Sequence, residues 1–195
     1  MSFRKEKKYI FNYDDILKVK DSLLKVGMQK LYPPRSIKSY YFDNYQLSMH
    51  QDSEEGVLPR KKIRIRCYDS LLKFKEETKI SSLEGRFKIN KSIKKIRCEK
   101  DIFEYDLYDQ LYGKLRPTLI VKYTRSYFKL NFLRITFDKN ISYVSLKSNS
   151  KVAFKDPKCV MEVKAPINCP EDYIENIIHY STSRFSKYCR GINFF

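Results

Sequence analysis

From Lys61 to Tyr68 the chain reads Lys-Lys-Ile-Arg-Ile-Arg-Cys-Tyr, cationic and apolar side chains taking turns. A period of two belongs to an extended strand, so Lys62, Arg64 and Arg66 share one face while Ile63, Ile65 and Cys67 share the other. Such a strand cannot lie with both faces in the same medium. The apolar face needs a cover, and the cationic face needs water or an anion.

The pattern recurs along the chain. Phe3 to Phe11 reads as a first strand with Arg4, Glu6 and Lys8 on one face. Ser36 to Phe42 is a second, followed by a short turn or helix at Asp43-Asn44. Leu71 to Lys79 sets Lys73, Lys75, Glu77 and Lys79 against Leu72, Phe74, Glu76 and Thr78. After a hairpin at Ser81 to Gly85, Arg86 and Lys88 alternate with Phe87 and Ile89. Thr118–Phe128, Phe132–Asp138 and Cys159–Ala165 complete the set. Arg125 follows Val121 and Tyr123 on its face, Arg134 goes with Thr136 and Asp138, and Glu162 with Lys164. Leu133, Ile135, Phe137, Met161 and Val163 lie opposite.

Three helical regions are expected. The first follows Asn12 or Asp14, carries Ile16, Val19, Leu23, Leu24 and Val26 at helical spacing, and stops at Gly27. The second spans Asp101 to Tyr112, closed by Gly113, and the third runs from Glu171 to about Cys189 with Gly191 as its stop. Pro33-Pro34 is read as a break, and Gln51 to Gly56 as a polar, mobile loop.

Composition limits the functional classes. With 195 residues and 42% hydrophobic content, residues 1–195 suit one folded domain. The net charge of +17, from 40 Lys and Arg against 23 Asp and Glu, calls for a polyanionic partner: phosphates, nucleic acid or an acidic membrane surface. Five cysteines without a C-x-x-C, beside only His50 and His179, argue against a disulfide framework or a zinc site. No apolar run reaches the roughly 20 residues of a membrane span and no signal-peptide core follows Met1, so a cytoplasmic location is expected. The isolated glycines build no phosphate loop, and neither a Ser/His/Asp triad nor an H-E-x-x-H motif is visible.

Many strands on short connections favour an α+β fold built on an antiparallel sheet. If that sheet closes into a barrel with helices packed outside, the basic faces point inward. The competing arrangement is an open sheet with its charges in bulk solvent. Arg64, Arg66, Lys75, Arg86, Lys88 and Arg134 are of one sign and rich in arginine, whose planar fork suits phosphate, which favours the interior.

Seven stretches, in order, resemble the VTC domain, the polyphosphate-polymerase branch of the CYTH-like triphosphate tunnel metalloenzymes. They are Arg4-x-Glu6-x-Lys8-Tyr9, Ser39-Tyr-Tyr-Phe-Asp43, Ile63-Arg64-Ile65-Arg66-x-Tyr68, Leu115 to Arg125, Leu133-Arg134-Ile-Thr-Phe-Asp138, Met161-Glu162-Val-Lys164 and Phe185-Ser186-Lys187-Tyr188. The resemblance implies a closed antiparallel barrel and ATP-dependent extension of inorganic polyphosphate. It nominates Arg64, Arg66 and Lys187 for catalysis, and Lys8, Lys75, Lys88, Arg125, Arg134 and Ser186 for substrate, with Arg184 a weaker candidate. Glu162, with Glu6 as a second carboxylate, would hold Mn2+ or Mg2+.

The chain departs from the pattern at Lys73, where relatives tend to carry Glu, so one acidic position is either lost or shifted to Glu76 or Glu77. The connections between Arg125 and Arg134 and from Asn140 to Lys158 are short. Two alternatives stay open: a triphosphate or tripolyphosphate hydrolase of the same fold, and a silent polyphosphate-binding module. Hydrolase relatives open with Glu-x-Glu-x-Lys, and here Arg4 stands in the first place. A nucleic-acid partner would account for the charge but not for acids on the basic strand faces. The implied ligands are ATP and polyphosphate or another triphosphate; membrane and protein partners are left unassigned.

Overall fold

A computed structural model describes residues 4–69, 71–147 and 152–195. Phe3, expected in the first strand, lies outside the described residues. The strands are β1 (Arg4–Phe11), β2 (Gln29–Asp43), β3 (Arg60–Tyr68), β4 (Leu71–Ser82), β5 (Gly85–Ser92), β6 (Leu107–Asp109), β7 (Gly113–Leu130), β8 (Leu133–Ser145), β9 (Ala153–Lys155) and β10 (Cys159–Pro166). The helices are short: α1 (Tyr13–Lys25), α2 (Ser48–Glu55), α3 (Lys100–Phe103), α4 (Glu171–Glu175) and α5 (Lys187–Ile192). The fold class is α+β, mostly antiparallel sheet.

The hydrogen-bonded order is β1-β10-β8-β7-β2-β3-β4-β5, with β6 on β7 and β9 on β8. Among the described residues no pairing joins β5 to β1, so the expectation of a closed barrel is corrected to an open sheet. The last strand shows why pairing ends there. Arg86, Lys88 and Lys91 on β5 are exposed, and a charged edge resists a further strand.

The chain forms two compact units, each assembled from several stretches. The first comprises the chain up to Arg35, Tyr123–Ile141 and Lys155–Phe185. Its core joins Ile16, Val19 and Leu23 of α1 to Leu133, Ile135 and Phe137 of β8 and Met161 and Val163 of β10, the apolar faces that the alternation marks out. Leu24 and Val26, expected on the same stripe, are exposed. Gly27, at φ +96°, ends α1 in the left-handed conformation that glycine adopts without strain.

The second unit comprises Ser36–Lys122, Ser142–Phe154 and Ser186–Phe195. Ile63, Ile65 and Cys67 of β3 pack with Tyr40, Phe42, Met49 and Phe74 in its core. Met49 belongs to α2, which replaces the loop expected at Gln51 to Gly56. The carboxylate of Asp43, fully buried, accepts from the backbone N–H groups of Asn44, Met49 and His50 at 2.8, 3.0 and 3.0 Å, and so fixes the turn into that helix.

Other expectations are corrected. Pro33-Pro34 does not break the chain: both are exposed and β2 runs through them. The helix expected over Asp101–Tyr112 shrinks to α3, and Leu107, Tyr108 and Asp109 instead pair with Leu115, Lys114 and Gly113. The long last helix is two short ones, and Gly191 lies inside α5 rather than stopping it. All five cysteines are free thiols, of which only Cys98 is exposed.

Candidate functional site

In the second unit, cross-strand register assembles a polar face. Ser39 and Tyr41 of β2 stand opposite Arg66 and Arg64 of β3, which in turn stand opposite Lys75 and Glu77 of β4. Because pleating sends alternate side chains to the same side, these residues share one face, and Ile63, Ile65 and Phe74 take the other. That face is not solvated: Arg64 and Arg66 are 9% and 5% exposed, and Glu77 is 3% exposed.

Each guanidinium is held. Arg64 donates Nε and Nη2 to Glu77 Oε2 at 2.8 and 2.6 Å and Nη1 to Tyr41 Oη at 2.7 Å. Arg66 donates Nε to Ser39 Oγ at 3.1 Å and lies 3.4 Å from Glu77 Oε2. Lys88 Nζ reaches Glu77 Oε1 at 2.7 Å. Burial pushes the Glu77 carboxyl up, but Arg64, Arg66 and Lys88 outweigh it and hold the group well below the usual carboxylate range. Burial likewise pushes the Tyr41 phenol up, and Arg64, Arg66 and Lys187 bring it below its ordinary value.

Helix α5 adds to this unit. Ser186 caps it, Oγ accepting from Cys189 N–H at 3.3 Å and from Lys62 Nζ at 3.0 Å. Lys187 is its first residue. Tyr188 stacks on Tyr41 with ring centroids 5.0 Å apart and donates its hydroxyl to Asp43.

The first unit carries the other nominated residues. Lys8 of β1 stands opposite Glu162 of β10, Glu6 opposite Lys164, and Glu162 opposite Thr136 of β8. Lys164 Nζ bridges the two acids, 2.9 Å from Glu162 Oε1 and 3.5 Å from Glu6 Oε2. Arg125 forks onto Asp138 with bonds of 2.6 and 2.7 Å, and its Nη2 lies 3.7 Å from Glu162. Burial raises the Glu162 carboxyl, whereas Arg125, Lys164 and Lys8 together drive it well below the ordinary range. Lys8 also donates to the Phe185 carbonyl at 2.9 Å. Arg134 is exposed and lies over the Tyr127 ring, 5.7 Å from its centroid.

Among the described residues no group of three or more His, Cys, Asp or Glu could hold a metal ion. Glu162 and Glu6 nevertheless supply two carboxylates on one face, and the buried Thr136 hydroxyl, in register with Glu162, has no hydrogen-bond partner among the described residues. An all-oxygen set of this size suits Mg2+ or Mn2+, which keep water and phosphate oxygens in their remaining positions.

The structure therefore gathers Arg64, Arg66 and Lys88 in one unit and Lys8, Arg125, Glu6 and Glu162 in the other. Among the described residues Lys75 and Arg134 stay outside the tight ion-pair networks of their faces. Sequence reasoning did not single out Tyr41, Ser39, Lys62, Asp138 or Thr136 as site residues. Ser39 and Tyr41 carry the same i, i+2 spacing as Arg64 and Arg66, and that spacing was the available signal.

The second unit thus sets buried arginine beside carboxylate and lysine on one face of an antiparallel sheet. The chain belongs to the VTC domain family, whose model matches residues 3–195. Membership implies dependence on a divalent metal. No curated protein matches it significantly. Among solved structures it is similar to a proposed adenylate cyclase from Bacillus halodurans (TM-score 0.62, 11% identity, 95% of this chain and 94% of that one). It is also similar to one from Vibrio parahaemolyticus (TM-score 0.57, 16% identity, 98% of each chain). A third is a proposed adenylyl cyclase from Hippeastrum, described as having a dominant triphosphatase activity (TM-score 0.59, 12% identity, 98% and 96% covered). At these identities the likeness establishes the fold. No helix among the described residues is long and apolar enough to cross a membrane.

Proposed function

We propose that the domain transfers the γ-phosphate of ATP to a growing inorganic polyphosphate chain. The observation that carries this reading is the buried pair Arg64 and Arg66, with the exposed Lys88 beside them, around one buried carboxylate, Glu77. Positive charge in such excess, with little water to screen it, is offset best by a polyanion. Chain-wide VTC family membership supports polymerisation, as does Arg4 in the place where hydrolase relatives carry Glu.

In the reaction a terminal oxygen of the acceptor chain attacks the γ-phosphorus. The bond from that phosphorus to the β–γ bridging oxygen breaks, and ADP leaves with the electron pair. The group in flight is metaphosphate-like, so the protein contributes positioning and charge compensation and needs no side-chain nucleophile. Arg64, tied to Glu77 and Tyr41, and Arg66, tied to Ser39, are preorganised donors for phosphate oxygens. Lys187 is assigned to the same charge compensation, and Lys8, Lys75, Lys88, Arg125, Arg134 and Ser186 to holding substrate. Glu162 and Glu6 are the residues that would hold Mn2+ or Mg2+, and a bound ion would supply charge neutralisation and Lewis-acid polarisation of phosphate oxygens.

Triphosphate hydrolysis is the second reading, favoured by the activity described for the Hippeastrum protein of the same fold. Incubation with ATP and Mn2+, followed by sizing of the phosphate products, separates the two. Long chains with ADP are expected from the wild type, and orthophosphate as the sole second product would establish the hydrolase. In Glu162→Gln, turnover should vanish while triphosphate binding stays near wild type or tightens, since a negative charge leaves a polyanion site. Unchanged turnover in that variant would remove the metal assignment.

A further inference from the structure

A groove of about 430 Å³ opens in the second unit between the start of β4 and the segment that follows β5. Lys73, Lys75, Lys94 and Arg97 line it, together with Phe74, Ile93 and Ile96, and no carboxylate does. The apolar members belong to the unit's core, and the Ile93 N–H donates to the Phe74 carbonyl at 3.4 Å, so the floor is fixed. The cations are exposed at the rim. Among the described residues Lys73, Lys75 and Lys94 enter no ion pair, in contrast to Lys88, which is bound to Glu77. Of the acids that follow Arg97, Glu99 pairs with Lys38, and Asp101 accepts from the backbone N–H groups of Arg97 and Cys98 at 2.7 and 3.2 Å.

Lys75 connects this groove to the buried cluster. It stands in register with Arg66 on one side and Ser92 on the other, and it also lines the groove. We propose that the groove is a secondary binding site for the extended part of an inorganic polyphosphate chain, continuing from Arg66 through Lys75 to Lys73, Lys94 and Arg97. The proposal rests on the reading of the Arg64–Arg66 face as a triphosphate site and adds a preference for chains longer than three phosphates. A row of cations with no carboxylate among the lining residues suits a ligand of unbroken negative charge, because every additional phosphate meets another cation and releases counterions. An acidic peptide spaces its charges one side chain apart with neutral backbone between them, and so meets the row of cations less densely.

The test compares ligands of different length on the double variant Lys94→Gln/Arg97→Gln, whose side chains are exposed, with Lys73→Gln as a second, independent variant. Dissociation constants are measured at fixed ionic strength for tripolyphosphate, for polyphosphate of tens of phosphates and for a single-stranded oligonucleotide of similar charge. The double variant should bind long-chain polyphosphate about tenfold more weakly, as loss of about 1.4 kcal/mol of charge-assisted contact implies, and tripolyphosphate within about twofold of wild type. Lys73→Gln should show the same selectivity to a smaller degree. Equal losses for both phosphates would reduce the groove to a general field, and no loss for either would remove it. Wild-type affinity for the oligonucleotide equal to that for long polyphosphate would overturn the assignment of ligand. If the wild type binds no tripolyphosphate at all, the reading of the Arg64–Arg66 face fails instead, and the long-chain arm still decides the groove on its own.

Discussion

Glu77 shows how far a single residue's setting departs from its place in the sequence. Its carboxyl and that of Glu162 are both held below the ordinary range by neighbouring cations, so each contributes stability that is complete above the unfolded-state value near 4.5 and is lost as pH falls through the folded one. Between those points each group should cost about 1.4 kcal/mol per pH unit. Asp43 works in the opposite sense, because burial raises its carboxyl, and its stabilising effect grows on acidification. Urea unfolding midpoints measured from pH 6 downward should therefore fall less steeply in Glu77→Gln than in the wild type. An identical acid slope would mean that the ion cluster contributes nothing to the linkage. The alternation of Lys62, Arg64 and Arg66 made this basic face legible, because a period of two needs no tertiary information. Its chemistry was not: whether Glu76 or Glu77 met the arginines, and whether Tyr41 did, depended on which residues stand opposite, and that is fixed only by strand register.

Among the elements, strands were easier to read than helices, since each strand carries its own apolar face. Asp101–Tyr112 has buried Ile102, Leu107 and Tyr112 five residues apart, a spacing that places them on no single helical face, and pairing with β7 decides the outcome. Between Glu171 and Cys189 the Ser183 N–H donates to the Lys8 carbonyl at 2.8 Å, so contact with β1 competes with helical bonding. Helix α5 allows a test in which two principles give opposite signs. Helix propensity says that Gly191→Ala should stabilise by about 1 kcal/mol. A methyl at Gly191 would instead stand 2.5 and 2.6 Å from the buried side chains of Tyr143 and Leu119, and overpacking of this kind costs about 1–3 kcal/mol. Chemical denaturation of Gly191→Ala should show net destabilisation; a gain would mean that Tyr143 and Leu119 yield freely and that the position of Lys187 tolerates movement.

For the whole molecule, the charge of +17 acts on every residue at once. Tripolyphosphate at about a hundred times its dissociation constant should add about 2.7 kcal/mol, or about 5–10 °C in melting temperature for a chain of this size. Sodium chloride at matched ionic strength should give less, and equal stabilisation by both would show that the cations are merely being screened. The two compact units also divide the chain in an unusual order, neither of them being a contiguous stretch. The first needs Lys155–Phe185 and the second needs Ser186–Phe195, so a ribosome will have made nearly all of these residues before either unit has its full complement of strands and helices. Long-range pairings of this sort close late, at high entropic cost, and a partly synthesised chain exposes basic strands with nothing to pair them. The nascent polypeptide is thus a cationic, β-forming segment emerging beside ribosomal RNA, and neither unit can close over its strands until Lys155–Phe185 and Ser186–Phe195 have been made.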